Sequence, residues 1–536
     1  MKTRSRKLYT LIAGLTSLVL TGFLATQPLF SDVHAREMNA VFDQLQGRIQ
    51  KITLPNGLRL ILLQQHYAPT VAAYIKFQAG SADETPSSFG VAHMLEHMLF
   101  KGTRLVGTRD WSRESKYHWQ SIAWMRELDQ YRHKRDTILA QSPATNEQTG
   151  ELAGLDQHIR TLERRLAQLQ QQSRIYVIPE EDSQLYSMHG QKGYNAYTMS
   201  DLTNYQIELP SNRLEVWARI ESDRLENAVL RDFYPERNVV ASERRMRFSN
   251  SPVRALFEQM LEQVYPTGHP YAHSVIGPMP SIQYLNYDKA MRFYRDYYAP
   301  NNSVIALVGE FNQPATIELV RRYFGKLEAR TVAPRGKPPA VDRRARQITM
   351  HHPGQPVLVL AWLKPPMPDP ADATIELLGE ILADGRESRL YQRLVVQEKL
   401  ASAVSAYNGY PGERYTNLFL IQIQSLQYEN YDQIAAVVQQ EIDRIRSSGV
   451  QKEEVERVRQ KAKAELIYQL RSNSFLADQL SYSEIQFGDY KTFFSYYSQI
   501  DRIQPESFSA IATRYLSGEQ RIEGRILPPE KQNESH

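Results

Sequence analysis

Apolar residues gather in two short runs between Ile52 and Leu63, with Asn56-Gly57 between them. An Asn-Gly pair accepts the positive φ angles of a tight turn, so this stretch predicts a β-hairpin. The preceding residues, 36–50, read as a helical or irregular lead-in. Thr70 to Ala79 predicts another strand, closing at Gly80, and Pro86-Ser87-Ser88 predicts a helix start. The helix that follows is apolar on nearly every side, through Phe89, Val91, Leu95, Met98, Leu99 and Phe100. Such a helix must be buried, with only its histidine-bearing edge on a cavity.

Further on the period changes. Leu152, Leu155, Ile159, Leu162, Leu166 and Leu169 step by alternating threes and fours, a heptad seam. A looser seam (Tyr117, Trp124, Leu128, Tyr131, Ile138) precedes it across a breaker at Pro143 to Gly150. Residues 111–175 therefore predict an antiparallel helical hairpin inserted into the surrounding domain. It is either a self-packed surface excursion or a docking arm or chamber rim. A strand is predicted at Gly190 to Thr198, helices at Leu214–Leu225, Pro235–Arg247 and Tyr284–Tyr297, and a strand at Ser303–Gly309. Pro235 is expected at the first position of its helix, and Glu236 and Glu243 stand seven apart on one face of it.

Lys326 to Ala345, rich in Pro, Arg and Gly, has little periodicity and is the expected linker. After it a similar order begins again: strand 356–362, helix 371–383, strands 400–408 and 417–424, helices 430–447 and 451–470. Tyr74-Ile75-Lys76-Phe77 in the first part corresponds to Leu360-Ala361-Trp362-Leu363 in the second. The expected fold is α+β: two tandem copies of one unit, a mixed sheet covered by helices, over 45–325 and 346–530.

Composition narrows the function. A chain of 536 residues exceeds one ordinary core, and 42% hydrophobic with 23% charged residues suits a soluble globular protein. A net charge of +4 makes no electrostatic case for nucleic acid. The chain has 0 cysteines, which excludes disulfides, thiolate metal sites and a lipoprotein anchor, so any metal must sit on histidines and carboxylates. Lys2, Arg4, Arg6 and Lys7 form a basic head before an apolar run from Leu8 to Phe23, and Val33-His34-Ala35 offers small residues for cleavage. Residues 1–35 are thus a signal peptide or an uncleaved membrane anchor (the span 8–30), and the body is expected to be exported, periplasmic or extracellular.

The chemistry centres on Val91-Ala92-His93-Met94-Leu95-Glu96-His97. On a helix, His93 and His97 at i and i+4 leave the same face one turn apart. That spacing suits two nitrogen ligands of one zinc ion, with Glu96 beside them as a base for water. The order H-x-x-E-H is that of the inverzincins. The bland alternative is a buried helix whose histidines are satisfied core groups.

Three segments in order resemble the M16 family of zinc peptidases: the His93–His97 helix, the strand Asn195-Ala196-Tyr197-Thr198, and Glu236-Arg237-Asn238-Val239-Val240-Ala241-Ser242-Glu243. The likeness runs from about Ile52 to the C-terminal end, interrupted by the insertion. It implies one Zn2+ per chain on His93, His97 and Glu243, a set that leaves a fourth position for water. It also implies that Glu236 orients a ligand histidine, that Glu96 is the catalytic base, and that Asn195, Ala196 and Tyr197 take an unfolded peptide as an added strand.

The second unit lacks H-x-x-E-H and departs from the family in a further way. Where the family carries an arginine and, seven residues later, a tyrosine, this chain has Val395 and Ser402. Arg393 is nearby, and no tyrosine follows before Tyr407. Family members of this length pair into clamshells, so the resemblance implies a heterodimer whose sister subunit supplies that Arg/Tyr pair. The alternatives are a self-sufficient homodimer and a non-catalytic assembly subunit.

Overall fold

The computed structural model describes residues 40–140 and 146–529; the expected leader over 1–35 lies outside the described residues. Of the described residues, 40–45 belong to a separate unit from the body, which starts at Gln46.

The body opens with β1 (Ile49–Thr53), β2 (Arg59–Gln64) and β3 (Thr70–Phe77). β1 and β2 pair antiparallel from Ile49↔Leu63 to Thr53↔Arg59, around a turn in which Gly57 has φ 84°. The Asn-Gly pair stands where that turn needs it. There follow α1 (Val91–Leu99), α2 (Trp111–Leu139), α3 (Asn146–Ser173), α4 (Glu181–Met188), β4 (Lys192–Thr198) and β5 (Thr203–Pro210). Next come α5 (Leu214–Asn227), α6 (Phe233–Ser249), α7 (Pro252–Val264), α8 (Met279–Gln283), α9 (Tyr287–Tyr297), β6 (Ser303–Gly309) and α10 (Gln313–Phe324). The six strands lie in the order β1-β2-β6-β3-β5-β4, which leaves β4 at an edge.

No helix or strand occurs over 328–345. The second half then contains β7 (Arg346–His351), β8 (Val357–Lys364), α11 (Pro370–Ala383), a wide-turned helical stretch (Tyr391–Gln397), β9 (Ala401–Tyr410) and β10 (Asn417–Ser425). It ends with α12 (Tyr431–Ser448), α13 (Lys452–Gln469), α14 (Asn473–Phe487), α15 (Thr492–Arg502), α16 (Pro505–Tyr515) and β11 (Ile522–Leu527). Its sheet runs β7-β11-β8-β10-β9. Set against β2-β6-β3-β5-β4, every strand finds a counterpart in chain order. In both sheets the first pair is parallel and the other three are antiparallel. The tandem repeat expected from the sequence is therefore present at the level of strand connectivity.

The halves exchange helices. α14, from the second half, lies on β3 and β6 of the first sheet, where Asp478 pairs with the buried Lys76 at 2.6 Å and Glu484 with Lys51 at 2.6 Å. α7, from the first half, lies on β7 and β11. Leu256, Met260, Leu261 and Val264 there join Ile348, Val359, Leu420 and Ile526 in one buried cluster. Each such side chain contributes about 1.5–3 kcal/mol. The approach is close: a Cβ on Gly524 would meet Met260 Sδ at 2.8 Å, so the methionine side chain would have to shift.

Several elements differ from the sequence expectation. α1 begins at Val91 rather than near Pro86, because Gly90 takes φ 90° and the chain turns there. The helix expected over 284–297 starts only at Tyr287, where Asn286 caps α9 by accepting from the Lys289 N–H, and the short α8 that ends at Gln283 was not anticipated. Pro235 is the third residue of α6, still within the first turn where its missing N–H costs nothing. β5, β7, β11 and the helices α4, α7, α10 and α14–α16 were not anticipated. α14 explains why: its buried positions include Asn473, Ser481, Ser483 and Glu484, so it carries no clean apolar stripe.

α2 and α3 form the hairpin, running antiparallel as Arg132–Glu163 (2.7 Å) and Lys134–Glu151 (2.6 Å) show. Leu155, Ile159, Leu162 and Leu166 are buried as the heptad predicts. On α2 the buried positions are Ile122, Met125, Leu128 and Ile138, while Tyr117, Trp124 and Tyr131 are half-buried. The hairpin is not merely self-packed. Arg231 reaches Glu114 at 2.6 Å with both groups buried, Tyr234 on α6 bonds Asp129, and Arg126 pairs with Asp288 on α9. It braces the helix that carries Glu236 and Glu243.

Candidate metal centre

α1 is pinned at both ends. At its start the buried Glu84 carboxylate accepts from the N–H groups of Gly90 and Ala92, each at 2.7 Å, and meets His273 Nε2 at 3.1 Å. At its end Arg224 donates to Leu99 O at 3.0 Å, and Arg231 to Lys101 O at 2.9 Å. An anion at the N-terminus and cations at the C-terminus both suit the helix dipole. The buried Val91, Met94, Leu95, Met98 and Leu99 fix its roll, so His93, Glu96 and His97 share the remaining edge.

That edge faces α6. The two rings of His93 and His97 stand 4.7 Å apart at 68°. Glu243 Oε2 lies 3.5 Å from His97 Nε2 and 3.8 Å from His93 Nε2. One atom from each of the three residues lies within 4.8 Å of the others, and this is the only such metal-sized cluster among the described residues. Two turns back, Glu236 Oε1 meets His97 Nδ1 at 2.9 Å and its Oε2 pairs with Lys101 at 2.6 Å. The other Glu243 oxygen pairs with Arg247.

The donors fit zinc. Ligands at about 2.0–2.2 Å around a tetrahedral ion stand roughly 3.3 Å apart, close to the separations here. Glu243 Oε2 is buried and makes no hydrogen bond, although two imidazole nitrogens lie 3.5 and 3.8 Å from it. Protonation follows from the surroundings. Burial, helped by the neighbouring His97, pushes His93 down to about 3. Burial opposes charge at His97 as well, but its hydrogen bond to Glu236 and the negative charge of the nearby Glu243 prevail and lift it to about 9. Burial raises Glu96, against the hydrogen bond that its Oε2 receives from Thr198 Oγ1 at 2.5 Å.

The expected substrate strand is β4. Asn195 on it is exposed, Ala196 is buried, and the Tyr197 hydroxyl turns inward to Lys76 (2.7 Å) and Asp478 (2.8 Å). In the second half, Val395 packs against the core and Ser402 is exposed on β9. The Arg393 guanidinium pairs with Glu398 (2.7 Å) and Glu441 (2.9 Å). No role for the Thr198 hydroxyl or for Lys101 was read from the sequence. Arg247 follows its partner Glu243 by an i,i+4 step on α6, a signal that was there to read, whereas Lys101 meets Glu236 only through the fold.

Residues 59–118 match the family model described as Insulinase (Peptidase family M16), and residues 284–462 match the Peptidase M16 inactive domain. The chain belongs to peptidase family M16. Its similarity to the zinc protease PqqE of Helicobacter pylori is 24% identity over 456 residues, 82% of this chain and 84% of that protein. The fold is similar to the crystal structure of a protease from Helicobacter pylori, with TM-score 0.71 and 21% identity over 90% of this chain and 99% of that one. It is also similar to the periplasmic protease PqqL from Escherichia coli, with TM-score 0.64 and 16% identity over 90% of this chain and 47% of that one. At these identities the structural likenesses carry the fold alone. Within this M16 chain the "inactive" model falls mainly on the half without H-x-x-E-H. Among the described residues, no helix is long and apolar enough to cross a membrane.

Proposed function

We propose that this chain is a zinc-dependent endopeptidase acting on unfolded peptides, and the zinc-bearing subunit of a heterodimer. The observation that carries the reading is the convergence of His93, His97 and Glu243 on one point, with Glu96 beside it. His93 Nε2, His97 Nε2 and Glu243 Oε2 would hold the metal. When bound, zinc would acidify water and polarise the scissile carbonyl.

The rest is the work of the chain. Glu96 takes the proton from water at its carboxylate and returns it to the leaving amine. Glu236 holds His97 through Nδ1, which keeps Nε2 aimed at the metal position. β4, an edge strand paired only with β5, offers backbone groups to an extended peptide at Asn195, Ala196 and Tyr197, with little demand on its sequence.

Two further parts have separate support. The basic head and apolar run over 1–35, with the likeness to a periplasmic protease, favour an exported protein. Val395, Ser402 and the committed Arg393 favour a sister subunit that brings the missing Arg/Tyr pair.

The test is to purify the chain alone and with candidate sister subunits, measure bound zinc, and assay an unfolded peptide with wild type and Glu96→Gln. Zinc at one per chain and loss of hydrolysis in the variant are expected. Full activity of the isolated chain would remove the sister subunit. A metal-free protein whose variant matches wild type would make it a non-catalytic assembly subunit.

A further inference from the structure

The Glu96 carboxylate is aimed by more than its own helix. Thr198, whose hydroxyl donates to Glu96 Oε2 at 2.5 Å, is the last residue of β4. The second half grips the chain on both sides of it. On the β4 side, the Tyr197 hydroxyl donates to Asp478 Oδ1 on α14 at 2.8 Å and accepts from Lys76 Nζ at 2.7 Å. Lys76 is buried and closes the triangle to Asp478 at 2.6 Å, with a further bond to Asn204 Oδ1 at 2.9 Å. In the β4–β5 turn, Asp201 Oδ2 accepts from the backbone N–H groups of Glu413 at 2.6 Å and Arg414 at 3.0 Å. The Arg414 guanidinium also reaches Asp83 at 2.8 Å, on the segment leading into α1.

All these partners beyond Lys76, Asn204 and Asp83 belong to α14 or to the β9–β10 turn. They are buried or half-buried and mostly charge-assisted, the strong class of hydrogen bond. β4 therefore cannot shift at this end without breaking several of them together. A β-branched side chain such as threonine is stiff at χ1, so an anchored backbone leaves its hydroxyl one direction. The hydroxyl then fixes one oxygen of Glu96 and leaves the other for the proton.

We infer that Thr198 is a positioning residue for Glu96, and that the C-terminal half holds it in place through the Tyr197–Asp478 lock. The half without a metal site thereby aims the base. This rests on the peptidase reading for its kinetic consequence and on geometry alone for the lock.

The experiment uses the zinc-loaded full chain, with its partner subunit where activity requires one. Thr198→Val should lower kcat about tenfold to a hundredfold, the scale set by a misplaced catalytic group, with KM within about twofold. Zinc affinity, read by chelator competition, should not change. Thr198→Ser keeps the hydroxyl and should recover kcat to within about threefold. Tyr197→Phe leaves Lys76 bound to Asp478 and Asn204, so folding is preserved. It should quicken amide hydrogen exchange over residues 192–198 about tenfold while β3 stays protected, and lower kcat.

A Thr198→Val enzyme with wild-type kcat would overturn the positioning role, as would loss of zinc together with a rise in KM. If wild type hydrolyses nothing, the peptidase reading fails by itself. Hydrogen exchange in Tyr197→Phe then still decides the lock, and unchanged exchange over 192–198 overturns it.

Discussion

The helices α1 and α11 occupy the same place in the two halves, each following the middle strand of its sheet. α1 carries His93, Glu96 and His97; α11 carries Asp372, Glu376 and Glu380, also on one face. The acids of α11 are answered from within the fold. Lys364 pairs with Asp372, which Asn408 and Tyr496 also bond at 3.1 and 3.2 Å, and Lys461 pairs with Glu380 at 2.7 Å. On α1, by contrast, His93 Nδ1 and the facing Glu243 Oε2 are buried without a hydrogen bond. One architecture thus hosts either a site or a structural polar core. The difference is whether internal partners satisfy the helix's polar edge.

The largest effect that would break this comparison is at Glu96. Glu96→Gln should lower kcat by about 10²–10⁴-fold, the worth of a general base, while Glu376→Gln, at the matching helix of the other half, should leave kcat unchanged. A peptide-cleavage assay on both variants decides it. Next, Lys364→Met leaves Asp372 buried without its cation and should cost about 3 kcal/mol or more. Urea unfolding should show that loss while zinc affinity stays at the wild-type value.

Glu236→Gln probes the opposite half. It keeps the shape but weakens the hold on His97, and should reduce zinc affinity about 10–100-fold in chelator competition. The smallest effect is one of pH. Burial pushes Glu413, beside Lys364, from 4.5 up to about 7. Across that window the folded chain keeps a proton that the unfolded chain has lost, so this group makes stability fall as pH rises. Urea midpoints measured at about pH 5 and about pH 7.5 should show the fall, and Glu413→Gln should flatten it.

Much of the site was legible because its signals are local. The i,i+4 histidines, the seven-residue step from Glu236 to Glu243 and the heptad of α3 depend only on helical periodicity, which a chain displays before it folds. The repeat of strand–helix order was legible for the same reason. The strand β5 was hidden because its inward positions include the buried Thr203 and Asn204, whose partners lie elsewhere in the chain.

What the sequence by itself determined, then, is the chemistry on each helix face and the tandem plan. Tertiary structure alone decided that Glu243 Oε2 meets two imidazole nitrogens across about 150 residues of chain. It also decided that Arg393 pairs with Glu398 and Glu441, and that the halves trade α7 and α14. These are matters of long-range pairing, settled by which buried charges and apolar faces find complements in the folded chain. No period or motif encodes that choice. Around His93, Glu96 and His97, spacing put the side chains on one edge and packing brought Glu243 to them.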